Sequence, residues 1–363
     1  MVRIVLAAPL AALVLVGGAR ADSLRTVIES IAVDGSDTVR LADSPDTLES
    51  PAFSPDGRTV AFVHNYRTVE LVGADGTGRR ALGPVLAAPN YAVVLGPVWS
   101  PGGKLLLAPV FVIVGDPRNA SAQLFSFDVA TGAVASPHLG QYVSFPRSGR
   151  YIVYQTHQYG PAGSGRDTIG VCRPDGTDDT SFGRGSFATW SPTSDRVAYV
   201  TRPGYLTVSG PRGQGRWTLR TMQAGPIAWF PDGKAIAFGH AGRRGALYEA
   251  TPGRQTARRV VDLPATATGE PLTVSVSPDG RWIAASYGQV TFVVRSNGTG
   301  YRVLDGGSAT WSPRAAALAR VSGNRLAVWV PTGQDEVLYT GRASLAQPSW
   351  SPDGTHIAVV DNE

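Results

Sequence analysis

Phe53-Ser54-Pro55-Asp56-Gly57-Arg58, leading into Val60-Ala61-Phe62, carries the architecture of this chain because it recurs along its length. Trp99-Ser100-Pro101-Gly102-Gly103-Lys104 leads into Leu105-Leu106-Leu107, and Phe145-Pro146-Arg147-Ser148-Gly149-Arg150 into Tyr151-Ile152-Val153-Tyr154. Further copies open at Trp190, Trp229, Val276, Trp311 and Trp350. Each joins an aromatic or apolar residue, a polar turn and a run of strand-forming residues. Proline presets φ at the turn corner, aspartate hydrogen-bonds nearby backbone, and glycine accepts the positive φ that follows. The flanking aromatic and β-branched residues favour extended backbone. Each copy therefore reads as strand A, a tight A–B turn and strand B. The opening aromatic reads as packing between neighbouring copies.

After strand B, most copies continue as an outer hairpin of strands C and D. Glu70-Leu71-Val72 precedes Asp75-Gly76-Thr77-Gly78, and Thr291-Phe292-Val293-Val294 precedes Asn297-Gly298-Thr299-Gly300. Asp-Gly and Asn-Gly between strand segments are strong hairpin signals. The openings are spaced by about 42 residues on average, the period of a four-stranded propeller blade. The eighth copy stops at Glu363 after strands A and B. The segment from Val27 to Leu41 supplies an outer-hairpin pattern at the other end. The expectation is an all-β, eight-bladed propeller over residues 22–363, closed by a split blade (24–41 with 350–361). Pairing the two ends removes exposed sheet edges. Seven blades is the alternative, because the third and seventh copies lack Pro-Asp-Gly.

Composition agrees. Gly 43 and Pro 27 together make about 19% of 363 residues, a turn-rich composition that excludes a helical bundle. Hydrophobic residues at 43% and charged residues at 17% exclude bulk disorder. The net charge of +5 is spread thinly, and Lys104 and Lys234 are the only lysines. No basic run supplies the footprint nucleic-acid binding needs. Arg3, the apolar run Ile4–Val16 and Ala19-Arg20-Ala21 read as a signal peptide over residues 1–21, predicting an exported, periplasmic or extracellular protein. Its apolar run is too short to span a bilayer, and no later segment reads as transmembrane. Cys172 is the sole cysteine, so no intrachain disulfide is available. It reads as a half-buried strand residue.

The repeated W/F-S-P-D-G turn and following strand, together with D-G-T-G, resemble the WD40-like (PD40) repeats of the TolB propeller family, over about residues 24–361. The resemblance implies a propeller; it is specific for fold and weak for function. TolB carries an N-terminal α/β domain and a six-bladed propeller, whereas here only about 30 residues separate residue 21 from the first motif. Peptidase relatives carry a hydrolase domain, and this chain has no G-x-S-x-G.

No P-loop, G-x-G-x-x-G after a strand, H-E-x-x-H or EF-hand loop occurs, so no cofactor, metal or catalytic residue is assigned. Asp175-Gly176-Thr177-Asp178-Asp179 reads as a solvated turn rather than a calcium loop. His64, His157 and His240 each fall 11 or 12 residues after the opening of their copy. That places them at strand B ends, on the face carrying the B–C loops. Asn65, Tyr66 and Tyr159 lie in the same loops, and these six residues are the candidate binding surface. The primary expectation is a monomeric, non-catalytic scaffold for a protein or envelope polymer. The alternative is a lactonase- or glycosidase-like hydrolase with its site at the channel mouth.

Overall fold

The computed structural model describes residues 25–84, 91–94, 96–113, 120–158, 166–240, 245–263, 273–333 and 335–363. The signal-peptide expectation over residues 1–21 lies outside them. The described secondary structure is β-strand, arranged in antiparallel sheets. A four-stranded sheet is formed by Leu48–Phe53, Thr59–His64, Thr68–Gly73 and Arg80–Pro84, in sequence order. The sheets from Ala224, Thr273 and Ser308 repeat this order. Strands between Tyr91 and Leu139 form a five-stranded version. A seven-stranded sheet runs from Gln141 to Leu219. Within it the long strand Thr180–Trp190 pairs backwards with Arg166–Cys172 through its first half, and forwards with Val197–Thr201 through its second.

The remaining sheet joins the two ends of the chain. Ser344–Trp350 pairs with His356–Asn362, which pairs with Thr26–Ala32, which pairs with Thr38–Ser44. Arg25 N lies 2.9 Å from Glu363 O.

The turns fold as their chemistry dictates. Ser54 Oγ donates to Asp56 Oδ1 at 2.6 Å and accepts Thr59 N at 3.0 Å. Gly57, at φ +73, donates to Ser54 O. Ser277-Asp279 and Ser351-Asp353 repeat these bonds. The third copy, without Pro-Asp-Gly, still places Gly149 at φ +65 with its N–H on Pro146 O.

Consecutive sheets pack face to face. Among the described residues, eight hydrophobic clusters each join one copy to the next. One contains Ile28, Ala358 and Val360 of the terminal sheet with Leu48, Val60 and Phe62 of the first repeat sheet. Another joins Ile31, Ile357 and Val359 to Ala319, Val321 and Leu326. Strand A of one copy lies beside strand A of its neighbour at several of these junctions, including last to first. Pro352, Pro55, Pro101 and Pro231 pack on Gly57, Gly103, Gly149 and Gly280 of the following copy. They stand 3.5–3.7 Å from where a β-carbon would project. This arrangement is a β-propeller. Cys172 ends the strand Arg166–Cys172 fully buried, and that burial pushes its thiol up to about 12.

Candidate functional site

His64 ends strand B of the first copy and Glu70 lies on strand C beside it. His64 Nδ1 is 2.8 Å from Glu70 Oε1. Arg79 Nε donates to the other carboxylate oxygen at 2.6 Å. Burial alone would raise the Glu70 carboxyl, but its hydrogen bonds to Arg79 and His64 prevail and hold it below its ordinary value. An ionised Glu70 can only accept, so His64 Nδ1 donates to it, and Nε2 is the ring nitrogen turned away from Glu70. That nitrogen faces Ser44 Oγ at 3.2 Å and Asp46 Oδ2 at 3.4 Å. Ser44 closes the outer strand of the terminal sheet, so the cluster bridges the last and first sheets. Arg79 also donates to Asp43 O at 3.2 Å and stands 5.4 Å over the Phe62 ring. Glu70 is the buried base of the cluster, His64 is half-buried, and Asp46 stands 53% exposed.

Asn65 and Tyr66 form the turn after His64, at φ 52° and 57°. Asn65 N donates to Thr47 O at 2.7 Å, and Tyr66 O accepts Val94 N of the next sheet at 2.8 Å. Burial raises the Glu49 carboxyl above its ordinary value, partly offset by a hydrogen bond with the Tyr66 hydroxyl. These two residues hold the loop and the junction between sheets.

His240 ends strand B of its own sheet, its ring 5.8 Å from that of Tyr248. His157 pairs in register with Asp167 in a third sheet, and nothing is described of its side chain. Tyr159 lies outside the described residues. Among the described residues, no group of three or more His, Cys, Asp or Glu side chains is arranged to hold a metal ion. The carboxylates of the acidic Asp175 turn already have partners: Asp175 Oδ1 accepts Thr177 N and Oγ1 within the turn, and from other elements Arg212 pairs with Asp178 at 2.7 Å and the Tyr154 hydroxyl donates to Asp179.

Sequence reading found His64 but missed Ser44, Asp46, Glu70 and Arg79. The Ser44-Pro45-Asp46 tripeptide repeats the opening motif in a D–A loop, the one local signal available. Its proximity to His64 depends on closure of the ring.

No protein-family model matches the chain, and no curated protein matches it in sequence. Solved structures match in fold. An oligogalacturonate lyase in complex with manganese superposes with TM-score 0.56 at 12% identity, over 94% of this chain and 97% of that one. The oligogalacturonate lyase from Vibrio parahaemolyticus gives 0.54 at 11%, over 94% and 98%. A TolB structure from Agrobacterium tumefaciens gives 0.45 at 16%, over 94% and 99%. At these identities the likeness to the lyases establishes the propeller fold alone. The manganese belongs to that lyase; the donor sets described here do not fit a metal ion, and no step is derived through one.

Proposed function

We propose that this protein is an exported, non-catalytic β-propeller that binds a protein or envelope polymer through its B–C loop face. The observation that carries this reading is the Asp46–His64–Glu70–Arg79 cluster. A buried, fully bonded base holds partly exposed charges at a fixed place beside the junction of the last and first sheets. Such a preset polar surface loses little side-chain entropy when a partner docks. We further read the ring as eight-bladed. Two features support this. Eight hydrophobic clusters each join successive copies. The two halves of Thr180–Trp190 also serve different four-stranded units.

The test places a photo-crosslinking amino acid at Asp46 of the tagged protein in its own cells. The expected result is one stoichiometric crosslinked partner, absent when the crosslinker is moved to an outer strand. No partner above that background would sink the reading.

One observation favours a second reading, a hydrolase. Ser44 Oγ, His64 Nε2/Nδ1 and Glu70 stand in the contact order of a serine-nucleophile triad. Against it, Ser44 is only 5% exposed and its Oγ already accepts Asp46 N at 3.0 Å, a loop anchor. Labelling by a fluorophosphonate probe, lost in Ser44→Ala, would put this reading first.

A further inference from the structure

The A–B turns concentrate charge that is dispersed in the sequence. Arg58, Lys104, Arg150, Lys234, Arg281 and Arg314 occupy the A–B turns of six copies, and all six are exposed. Both lysines of the chain are among them. Among the described residues, none of the six lies within ion-pair distance of a carboxylate. Among the described residues, Arg25, Arg40, Arg79, Arg212, Arg258 and Arg320 are paired with carboxylates, whereas the exposed Arg67 and Arg220 on the opposite face, like the turn cations, are not. Successive turns touch through the Pro–Gly contacts, so the cations share one face, opposite the B–C loops. The same turns also carry carboxylates, since Asp56, Asp279 and Asp353 accept serine hydroxyls and Asp232 accepts Lys234 N, whereas the turns opening at Trp99, Phe145 and Trp311 carry cations and no carboxylate.

A cavity of about 460 Å³ opens on this face, between an A–B turn, the C–D turn of the same sheet and Pro331 of the next. It is lined by Arg281 and Arg295, and by Asp279, Ser296 and Asn297. The Arg295 guanidinium stands 5.2 Å over the Trp282 ring, which fixes its plane. Two guanidiniums suit an oxyanion, and the carboxylate, hydroxyl and amide suit sugar hydroxyls. The volume falls within the range of small-ligand sites.

We infer that this turn face binds an anionic polysaccharide, with one charged sugar unit seated in the cavity at Arg281 and Arg295 and the chain running over the cationic turns. This rests on the binding reading above but uses the opposite face. Other polyanions fit less well. The exposed large apolar residues described, Val134, Tyr142, Val303 and Val337, all lie outside these turns. The one aromatic lining the cavity, Trp282, is buried beneath Arg295, so among the described residues these turns offer no open aromatic platform for nucleobases and no exposed apolar wedge for a bilayer or anchor for a protein partner. It ends in turns whose backbone groups are bonded internally, so no strand edge is open to a peptide.

The test measures binding of the full-length chain to alginate, a polyuronate, at low and high salt. The variant Arg58→Glu/Lys104→Glu/Lys234→Glu is compared with Arg67→Glu/Arg220→Glu, which puts exposed charge reversals on the B–C and D–A loops. The expected result is salt-sensitive alginate binding, weakened about tenfold or more by the turn variant and nearly unchanged in the loop variant. Arg281→Ala/Arg295→Ala should abolish binding of a short uronate oligosaccharide. Absence of alginate binding, or equal loss in both reversal variants, overturns the inference. Tighter binding of polyglutamate at matched charge would assign the face to an acidic polypeptide, and binding of phosphatidylglycerol vesicles alone would assign it to a membrane. A crosslink at Asp46 that survives the turn reversals leaves the B–C face reading standing, so the two can fail separately.

Discussion

Asp353 shows how a repeated turn is held at the level of single atoms. Its Oδ1 accepts the Ser351 hydroxyl at 2.6 Å, then Thr355 N at 3.0 Å and Thr355 Oγ1 at 2.8 Å. The Ser351 bond is the largest cause lowering its carboxyl, to about 2. The unfolded value is ~3.9. A depressed folded pKa stabilises above the unfolded value, and that contribution is lost as pH falls through about 2. Melting temperature should therefore fall between about pH 5 and pH 2, and Asp353→Asn should flatten that limb while costing about 1 kcal/mol at neutral pH. Thermal scans across pH on both proteins check this; identical slopes would refute it. Gly76 shows the opposite kind of constraint. It sits at φ +81, and a β-carbon there would be 2.8 Å from Arg40 O of the neighbouring sheet, so the Asp-Gly pair is demanded by packing as well as by the turn.

Between elements, four of the five opening tryptophans act as rivets, Trp311 being the exception. Trp99, Trp190 and Trp350 each donate their indole N–H, at 3.0 Å, to a carbonyl of the preceding copy: Ala52, Ser144 and Thr310. Trp229 reaches Thr189 O at 3.3 Å. In every case the acceptor precedes the opening aromatic of that copy, so one bond sets the register of neighbouring sheets. Trp350→Phe should cost about 1 kcal/mol by losing only the hydrogen bond, and Trp350→Ala about 3–5 kcal/mol by opening the junction. Chemical denaturation of the pair separates the two contributions; equal losses would mean that the bond contributes nothing. Arg320 is a second cross-element tie. It is 4% exposed, donates to Asp305 O at 2.7 Å, and pairs with Asp305 and Asp335 from two outer strands. Arg320→Ala should cost about 2–3 kcal/mol, because its charged hydrogen bonds to both outer strands and its packing volume go together, whereas Arg320→Met, which keeps the volume, should be milder.

At the scale of the whole molecule, closure is a pairing of chain ends. Thr26–Ala32 lies against His356–Asn362 over seven residue pairs, and the clusters on both sides of that sheet include residues from each end. A circular permutant joining residue 363 to residue 25 and opened in the turn after Gly300 should fold with nearly unchanged melting temperature, since it keeps every described strand. Deleting residues 344–363 should abolish cooperative unfolding, since two strands and parts of both clusters leave together. Circular dichroism melts decide both outcomes, and a cooperative transition in the deletion would show that the ring does not depend on this sheet.

What the sequence by itself determined is whatever a few neighbouring residues can enforce. The Pro-Asp-Gly turns, the alternation of strands and hairpins, their period and the pairing of the two ends all follow from local backbone preference repeated at a regular interval. Only the tertiary structure decided what lies beside what across that interval. His64 was legible as a strand-end residue, but its partners Ser44 and Arg79 come from outside its hairpin, and Ser44 reaches it only because the ring closes. Tyr66 and Asn65 read as loop residues open to a ligand, yet their backbone groups tie loops and sheets together. The cations of the A–B turns are 33 to 84 residues apart and look dilute along the chain. Folding brings them to one face, because a repeat that matches the blade period returns each copy's turn to the same height around the ring.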